Sequence, residues 1–165
     1  MLINLRPWHL DDLTDLVALA NNKHIAQYMA DVFPHPYSIE NGKTFIALSN
    51  SNNNSKIFAI TLNNIIVGSI GLHLQTDILK KNAEIGYWLG EPYWKQGVMK
   101  QAIPMMIDYG FKNTDIVRIF ARIMGNNIAS QKLVESCGFK LEGHYHKTLF
   151  KNNEMIDELI YAVRR

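Results

Sequence analysis

The scarcities in this chain narrow its class before any motif is read. It has one cysteine, Cys137, among 165 residues, which excludes a disulfide framework and leaves too few thiolates for a structural zinc or iron–sulfur centre. Net charge is small: 17 Lys+Arg stand against 15 Asp+Glu, giving +2, and the basic residues form no long run. A nucleic-acid or membrane-surface footprint depends on clustered Lys and Arg, so neither partner is expected. No apolar run approaches the roughly 18 residues of a membrane helix. Met1-Leu2-Ile3-Asn4-Leu5-Arg6-Pro7 has neither the charged start nor the apolar stretch of a leader, so the cytoplasm, with a reduced thiol, is the expected address. What is present is core material: 47% of residues are hydrophobic and 10% aromatic, which argues against disorder. At about 100–200 residues per domain, a single domain over residues 1–165 is expected.

The periodicity alternates along the chain. Leu10, Leu13, Leu16, Val17 and Ala20 recur at helical spacing behind Pro7 and the acidic pair Asp11-Asp12. Ser49-Asn50-Ser51-Asn52-Asn53-Asn54-Ser55 has almost nothing to bury and reads as an exposed loop. Residues 57–61 and 65–72 are β-branched runs around Asn63-Asn64, a hairpin signal, and residues 83–89 form a third strand-like run. From Gly97 the period becomes helical through Val98, Ala102, Ile103, Met106, Ile107, Gly110 and Phe111, and Pro104 predicts a kink or a displaced start. Residues 117–124 read as a strand, 128–136 as a helix closed by Gly138, and the remainder as two strands broken at 151–154. The fold class is mixed α/β (α+β), with helices packed on a largely β platform.

Two stretches could carry chemistry. In the first, a strand passes through Gly90 to Gly97 into a helix, leaving unpaired N–H groups at the positive end of the helix dipole, where phosphates bind. Lys95 and Lys100 add positive charge there, although a glycine before a helix is also an ordinary cap. In the second, Asn127 and Ser130 lie three apart, so a helix starting at Asn127 carries an amide and a hydroxyl on one face of its first turn. Spacing alone equally allows Asn127 to be only an N-cap and Ser130 a solvated position.

Taken in order, Tyr93-Trp94-Lys95-Gln96-Gly97-Val98-Met99, Asn127-Ile128-Ala129-Ser130 and Glu135-Ser136-Cys137-Gly138-Phe139-Lys140-Leu141-Glu142-Gly143 resemble the GNAT superfamily of acetyl-CoA-dependent N-acetyltransferases. The resemblance is nearest to the Rim-type (RimJ/RimL-like) ribosomal-protein N-terminal acetyltransferases and runs from Leu5-Arg6-Pro7 to the last strand. It implies a twisted, mostly antiparallel mixed sheet with a splayed strand pair and flanking helices. It further implies that Gln96, Gly97, Val98, Met99 and Lys100 form the pyrophosphate-binding loop for acetyl-CoA. Backbone groups of the run ending in Trp88 and Leu89 would pair with the pantetheine arm as an added strand. Asn127 would hold the pantetheine, Ser130 would sit near the thioester sulfur, and Glu84 would deprotonate the incoming amine through a water. No metal is implied. Three positions depart from the family pattern: Lys95 replaces a frequent glycine, Met99 a glycine or alanine, and Val134 a tyrosine that elsewhere protonates the departing thiolate.

An α-amine has a pKa of about 7.7–8.0 and lysine about 10.4, so a weak base acting through water is adequate for the former and less so for the latter. The expected activity is therefore direct attack in a ternary complex by the N-terminal amine of a protein, such as a ribosomal protein, with no acyl-enzyme at Cys137. A small-molecule amine, polyamine or aminoglycoside, is the alternative acceptor, and a non-catalytic acyl-CoA-binding regulatory module is the alternative of another class. A polyamine would want an acidic cleft, and the sequence offers only Asp11-Asp12 and Asp157-Glu158 as acidic pairs. A monomer or a homodimer is compatible with the sequence. The acceptor is expected to be selected by residues 31–43. His144 and His146 share a strand face with no recurring further ligands, which favours an exposed face over a metal or substrate wall.

Overall fold

The computed structural model describes residues 1–165. Seven strands form one sheet: β1 (Ile3–Arg6), β2 (Ser55–Leu62), β3 (Ile65–Leu74), β4 (Asn82–Leu89), β5 (Arg118–Met124), β6 (Lys140–Lys151) and β7 (Glu154–Arg164), in the order β1-β2-β3-β4-β5-β7-β6. Every neighbouring pair is antiparallel except β4 and β5, which run parallel. Helices α1 (Leu13–Ala20), α2 (Lys23–Ala26) and α3 (Ile39–Ser51) lie on one face, and α4 (Val98–Asn113) and α5 (Ile128–Ser136) on the other.

Strand alternation divides the apolar residues between two cores. Ile70, Leu72, Ala83, Ile85, Ile119, Ala121 and Ile123 pack under Val98, Ala102, Ile103, Met106 and Val134. Trp8, Ala59, Ile66 and Trp88 pack under Leu16, Ala20, Ile25 and Ile46. Val134, at the position where the family pattern has a tyrosine, is therefore fully buried core rather than a cleft group.

Several local expectations needed correction. Residues 10–12 form a 3₁₀ turn and α1 begins only at Leu13. The expected loop from Ser49 is in part α3: Ser49 is buried with its hydroxyl bonded to the Phe45 carbonyl, and Ser55 is buried at the start of β2. Serine satisfies itself by bonding one turn back, so a polar composition did not prevent helix formation. The start of α4 is not displaced, because the helix runs from Val98 with Pro104 inside it on the exposed side. The Asn63-Asn64 turn forms as expected, with both residues at positive φ of 50° and 69°.

The β2–β3 register shifts at Ile60/Thr61, leaving Val67 as an extra residue in β3. This bulge brings Gly68 against the end of β4, where a Cβ would lie 2.4 Å from the Trp88 carbonyl oxygen. The obstacle is backbone, so it cannot rotate away. Gly68→Ala should lower stability by about 1–3 kcal/mol despite the smaller unfolded-state entropy of alanine; urea denaturation at unchanged midpoint would refute this packing account.

Near the entry to α1, Arg6 makes a two-pronged pair with Asp12, each N···O distance being 2.8 Å, and Asp12 also accepts from the His9 N–H. These bonds, the Arg6 one foremost, hold the Asp12 carboxyl below its ordinary value against the opposing effect of burial. A folded-state pKa depressed in this way stabilises the fold above the unfolded value of about 3.9 and loses that contribution as pH falls through the lower folded value. Asp12→Asn should therefore lower the denaturation midpoint at pH 7, and the gap from the parent should close on acidification below about pH 4.

Candidate functional site

The parallel β4–β5 pair lasts for only three residues, Asn82–Glu84 against Arg118–Phe120. Beyond them the strands diverge, while β4 remains paired with β3 up to Leu89. Backbone polar groups alternate sides along a strand. The Asn82 carbonyl and the Gly90 N–H both bond on the β3 side, so, past the Ile85 N–H that closes the last β4–β5 pair, the Ile85 carbonyl and the groups of Tyr87 and Leu89 face the gap. One of them is already occupied, since the Trp94 indole donates to the Leu89 carbonyl at 2.7 Å.

The gap is the waist of a cavity of about 1020 Å³. Glu84, Trp88, Leu89, Gly97, Val98, Met99, Lys100, Asn127 and Ser130 all line it. Gln96, the remaining expected residue, does not; its amide donates to the Pro92 carbonyl at 2.8 Å and ties the loop back on itself. The Trp88 indole is buried in the second core, 6.1 Å from Phe33, and its backbone polar groups lie on the β3 side.

At one end lies the start of α4. Gly97 is the N-cap with φ of +78° and no side chain caps the helix, which leaves the N–H groups of the first turn without protein partners. A Cβ at Gly97 would meet nothing, so glycine is required there by backbone conformation rather than by space. Lys95 also holds a left-handed φ, +60°, the conformation for which the family pattern's glycine is suited. The expected bulk of Met99 turns inward, because the side chain is buried in the α4 core.

Across the gap, Asn127 caps α5, its Oδ1 accepting from the Ser130 N–H at 3.2 Å. This uses the amide oxygen and leaves the amide NH₂ unbonded within the protein. The Ser130 hydroxyl lies 2.6 Å from the Tyr87 hydroxyl. Burial pushes the Tyr87 phenol up to about 12, so it is protonated at neutral pH. Cys137, at the end of α5, is half-buried with its thiol pushed up by burial, the opposite of an activated nucleophile.

The other end is charged. Glu84 is half-buried, 3.5 Å from Arg122, which bonds more closely to Glu158 at 2.9 Å. Bonding to Glu158 chiefly raises the Arg122 pKa. Behind Glu84, His73 accepts or donates a 2.8 Å bond with Ser55 and is depressed by burial, with Glu84 opposing. The β6–β7 turn reaches over this end: Lys151 pairs with Asp31 at 2.8 Å and the Asn152 amide donates to the Gln27 carbonyl at 3.3 Å. Of the segment 31–43, residues from Ile39 belong to α3, and Asp31 reaches the cavity. His144 and His146 stand on Asp157 at 2.6 and 3.3 Å, are exposed, and do not line the cavity.

Sequence reasoning missed Tyr87, Arg122, Glu158 and the Lys151–Asp31 bridge. For Tyr87 a signal existed: it alternates with Ala83 and Ile85 on a core-facing side, and a phenol there must find a partner. Arg122 and Glu158 meet through strand order, which pairs β5 with β7, and Lys151 and Asp31 meet where the β6–β7 turn reaches the segment after α2.

The sequence matches the acetyltransferase (GNAT) domain family over residues 3–140. It is 30% identical over 98 residues to the uncharacterized N-acetyltransferase YoaA of Bacillus subtilis, covering 59% of this chain and 55% of that protein. It is 31% identical over 108 residues to the ribosomal-protein-serine acetyltransferase of Escherichia coli, covering 66% and 60%. The chain thus spans a little over half the length of these two relatives. The fold superposes on RimL, a ribosomal L7/L12 α-N-protein acetyltransferase in complex with coenzyme A, with a TM-score of 0.87 and 25% identity over 98% of this chain and 93% of that one. A sheet splayed at β4 and β5 with an uncapped helix start beside the gap, and a family match over most of the chain, lead to one conclusion: the chain belongs to the GNAT family and is an acetyl-CoA-dependent N-acetyltransferase.

Proposed function

We propose that the chain moves the acetyl group of acetyl-CoA directly to the N-terminal α-amine of a protein, such as a ribosomal protein, in a ternary complex. The observation that carries this reading is the charge pairing at the acceptor end. Glu158 is tied to Arg122 and Asp31 to Lys151, so little acidic charge is left to gather a polycation, and of the three carboxylates lining the cavity only Glu84 has no bond shorter than 3.5 Å. A weak base of that kind serves an α-amine, of which roughly a tenth is already neutral at pH 7. The ribosomal substrates of the Escherichia coli relative and of RimL are compatible with this choice.

In this reading the first-turn N–H groups from Gly97 to Lys100 hold the pyrophosphate, with Lys95 and Lys100 adding charge. Gln96 shapes the loop from outside. The Ile85 carbonyl, the groups of Tyr87 and the Leu89 N–H pair with the pantetheine arm as a further strand would, and the Asn127 NH₂ contacts its amide. The thioester carbonyl then lies at the narrow part of the gap, between Ser130 on one side and Glu84 on the other. The amine attacks the carbonyl carbon, its proton passing through a water to Glu84. As the C–N bond forms, the C–S electron pair stays on sulfur, beside the Ser130 hydroxyl. Water exclusion comes from the β6–β7 turn, whose Lys151 and Asn152 roof the acceptor end.

The acceptor is tested by thiol release from acetyl-CoA against N-terminal peptides, polyamines and aminoglycosides. Turnover is expected on peptides with a free α-amine; turnover confined to small amines would overturn the proposal, and coenzyme binding without turnover on any amine would point to a regulatory module. The base is tested separately by pH. Glu84→Gln should lower kcat/KM on the active peptide by about 10²-fold near pH 7, and the deficit should narrow above about pH 8, where the α-amine needs no base. A deficit constant across pH would remove Glu84 from proton transfer.

A further inference from the structure

Ser130 can act on a departing sulfur only if its single O–H is turned toward it, and a serine hydroxyl rotates freely unless something fixes it. Three features restrict it here. The backbone of Ser130 is fixed by the Asn127 cap at 3.2 Å, its hydroxyl touches one protein group, the Tyr87 phenol at 2.6 Å, and both hydroxyls sit in the lining of the cavity just past the last β4–β5 pair. Between two hydroxyls only one proton can occupy the shared bond.

We infer that Tyr87 is a positioning residue for acetyl transfer: its phenol donates to Ser130 Oγ and thereby leaves the Ser130 O–H free to point into the gap at the departing sulfur. This rests on the acetyl-transfer reading above. Burial keeps the phenol protonated and able to donate. It is also rigid, because the ring is carried on β4 and packs against the first core. The bond order is simple: N–C forms, C–S breaks, and the sulfur keeps the electron pair while accepting a hydrogen bond from Ser130. On release it takes from solvent the proton that the amine gave up through Glu84. Neither Tyr87 nor Ser130 changes its proton count over the cycle. With Val134 buried in the core, the tyrosine that the family pattern places on α5 has a counterpart here on the facing strand, acting through the serine rather than on the sulfur.

The test uses the full chain, acetyl-CoA, and two acceptors, a peptide with an N-terminal serine and spermidine. Tyr87→Phe should lower kcat about tenfold, the equivalent of one hydrogen bond, with KM for acetyl-CoA and the calorimetric Kd for coenzyme A within about twofold of the parent. Ser130→Ala should lower kcat similarly, and the double variant no further, because the two hydroxyls act as one unit. Unchanged kcat in Tyr87→Phe, penalties that multiply, or a loss confined to KM and Kd would each overturn the inference while leaving the acetyl-transfer reading intact. Absence of parent turnover on both acceptors would overturn the two together. Site-specific 3-fluorotyrosine at position 87 provides a second variant that keeps the ring and the hydroxyl: a more acidic donor should hold or raise kcat, and a tenfold fall there would also refute the role.

Discussion

The molecule is organised around an unfinished hydrogen-bond ladder. Buried backbone N–H and C=O groups must find partners, and a sheet ordinarily supplies them strand by strand. Here β4 and β5 pair over three residues and then separate, leaving without a strand partner the Ile85 carbonyl, both groups of Tyr87 and the Leu89 N–H, while the Leu89 carbonyl is taken by the Trp94 indole. Both helix starts that matter, Gly97 and Asn127, open onto the same interval. The bulge at Val67 and the close approach of Gly68 to Trp88 hold the end of β4 on its β3 side, so the interval is kept open by the strands that flank it.

This arrangement explains how a chain with almost balanced charge can serve an anionic cosubstrate. In the proposed reading the favourable field comes from oriented backbone dipoles at the start of α4 rather than from a basic surface, with Lys95 and Lys100 supplementing it. The charged side chains of the cavity lining gather at the opposite end, where Arg122 and Lys151 neutralise Glu158 and Asp31 and leave Glu84 the least committed of the lining carboxylates.

Much of the sheet was readable from alternation and turn chemistry, as the Asn63-Asn64 hairpin and the Asn127 cap show. Length-limited or polar elements were not. The four residues of β1 are too short to carry a period, and α3 is built on a segment, Ile39–Ser51, whose asparagines and serines mask its buried stripe of Gly42, Ile46 and Ser49. The lining of the candidate site was legible where a motif is contiguous, as at Gly97 to Lys100 and at Asn127 and Ser130. It was illegible where the chain must close on itself: Arg122 meets Glu84 through the parallel register and Glu158 through the β5–β7 pairing, and Lys151 reaches Asp31 across 120 positions of sequence. Gln96 differs from its neighbours in that motif, since its side chain bonds back to the Pro92 carbonyl and does not line the cavity.

The brief β4–β5 pairing also has a consequence for cohesion. Strands β1–β4 and strands β5–β7 form two half-sheets whose backbone ladders meet over only three residue pairs, the remaining ties being side-chain contacts and the shared core under α4 and α5. A coenzyme arm lying in the gap would bridge these halves and act as a rivet. Since any ligand that binds only the folded chain adds RT ln(1 + [L]/Kd), about 2.7 kcal/mol at a hundredfold excess over Kd, occupancy would strengthen the domain where its backbone ladder is interrupted. Resistance to unfolding would then track the cellular supply of acetyl-CoA, and an idle enzyme would be a more fragile one.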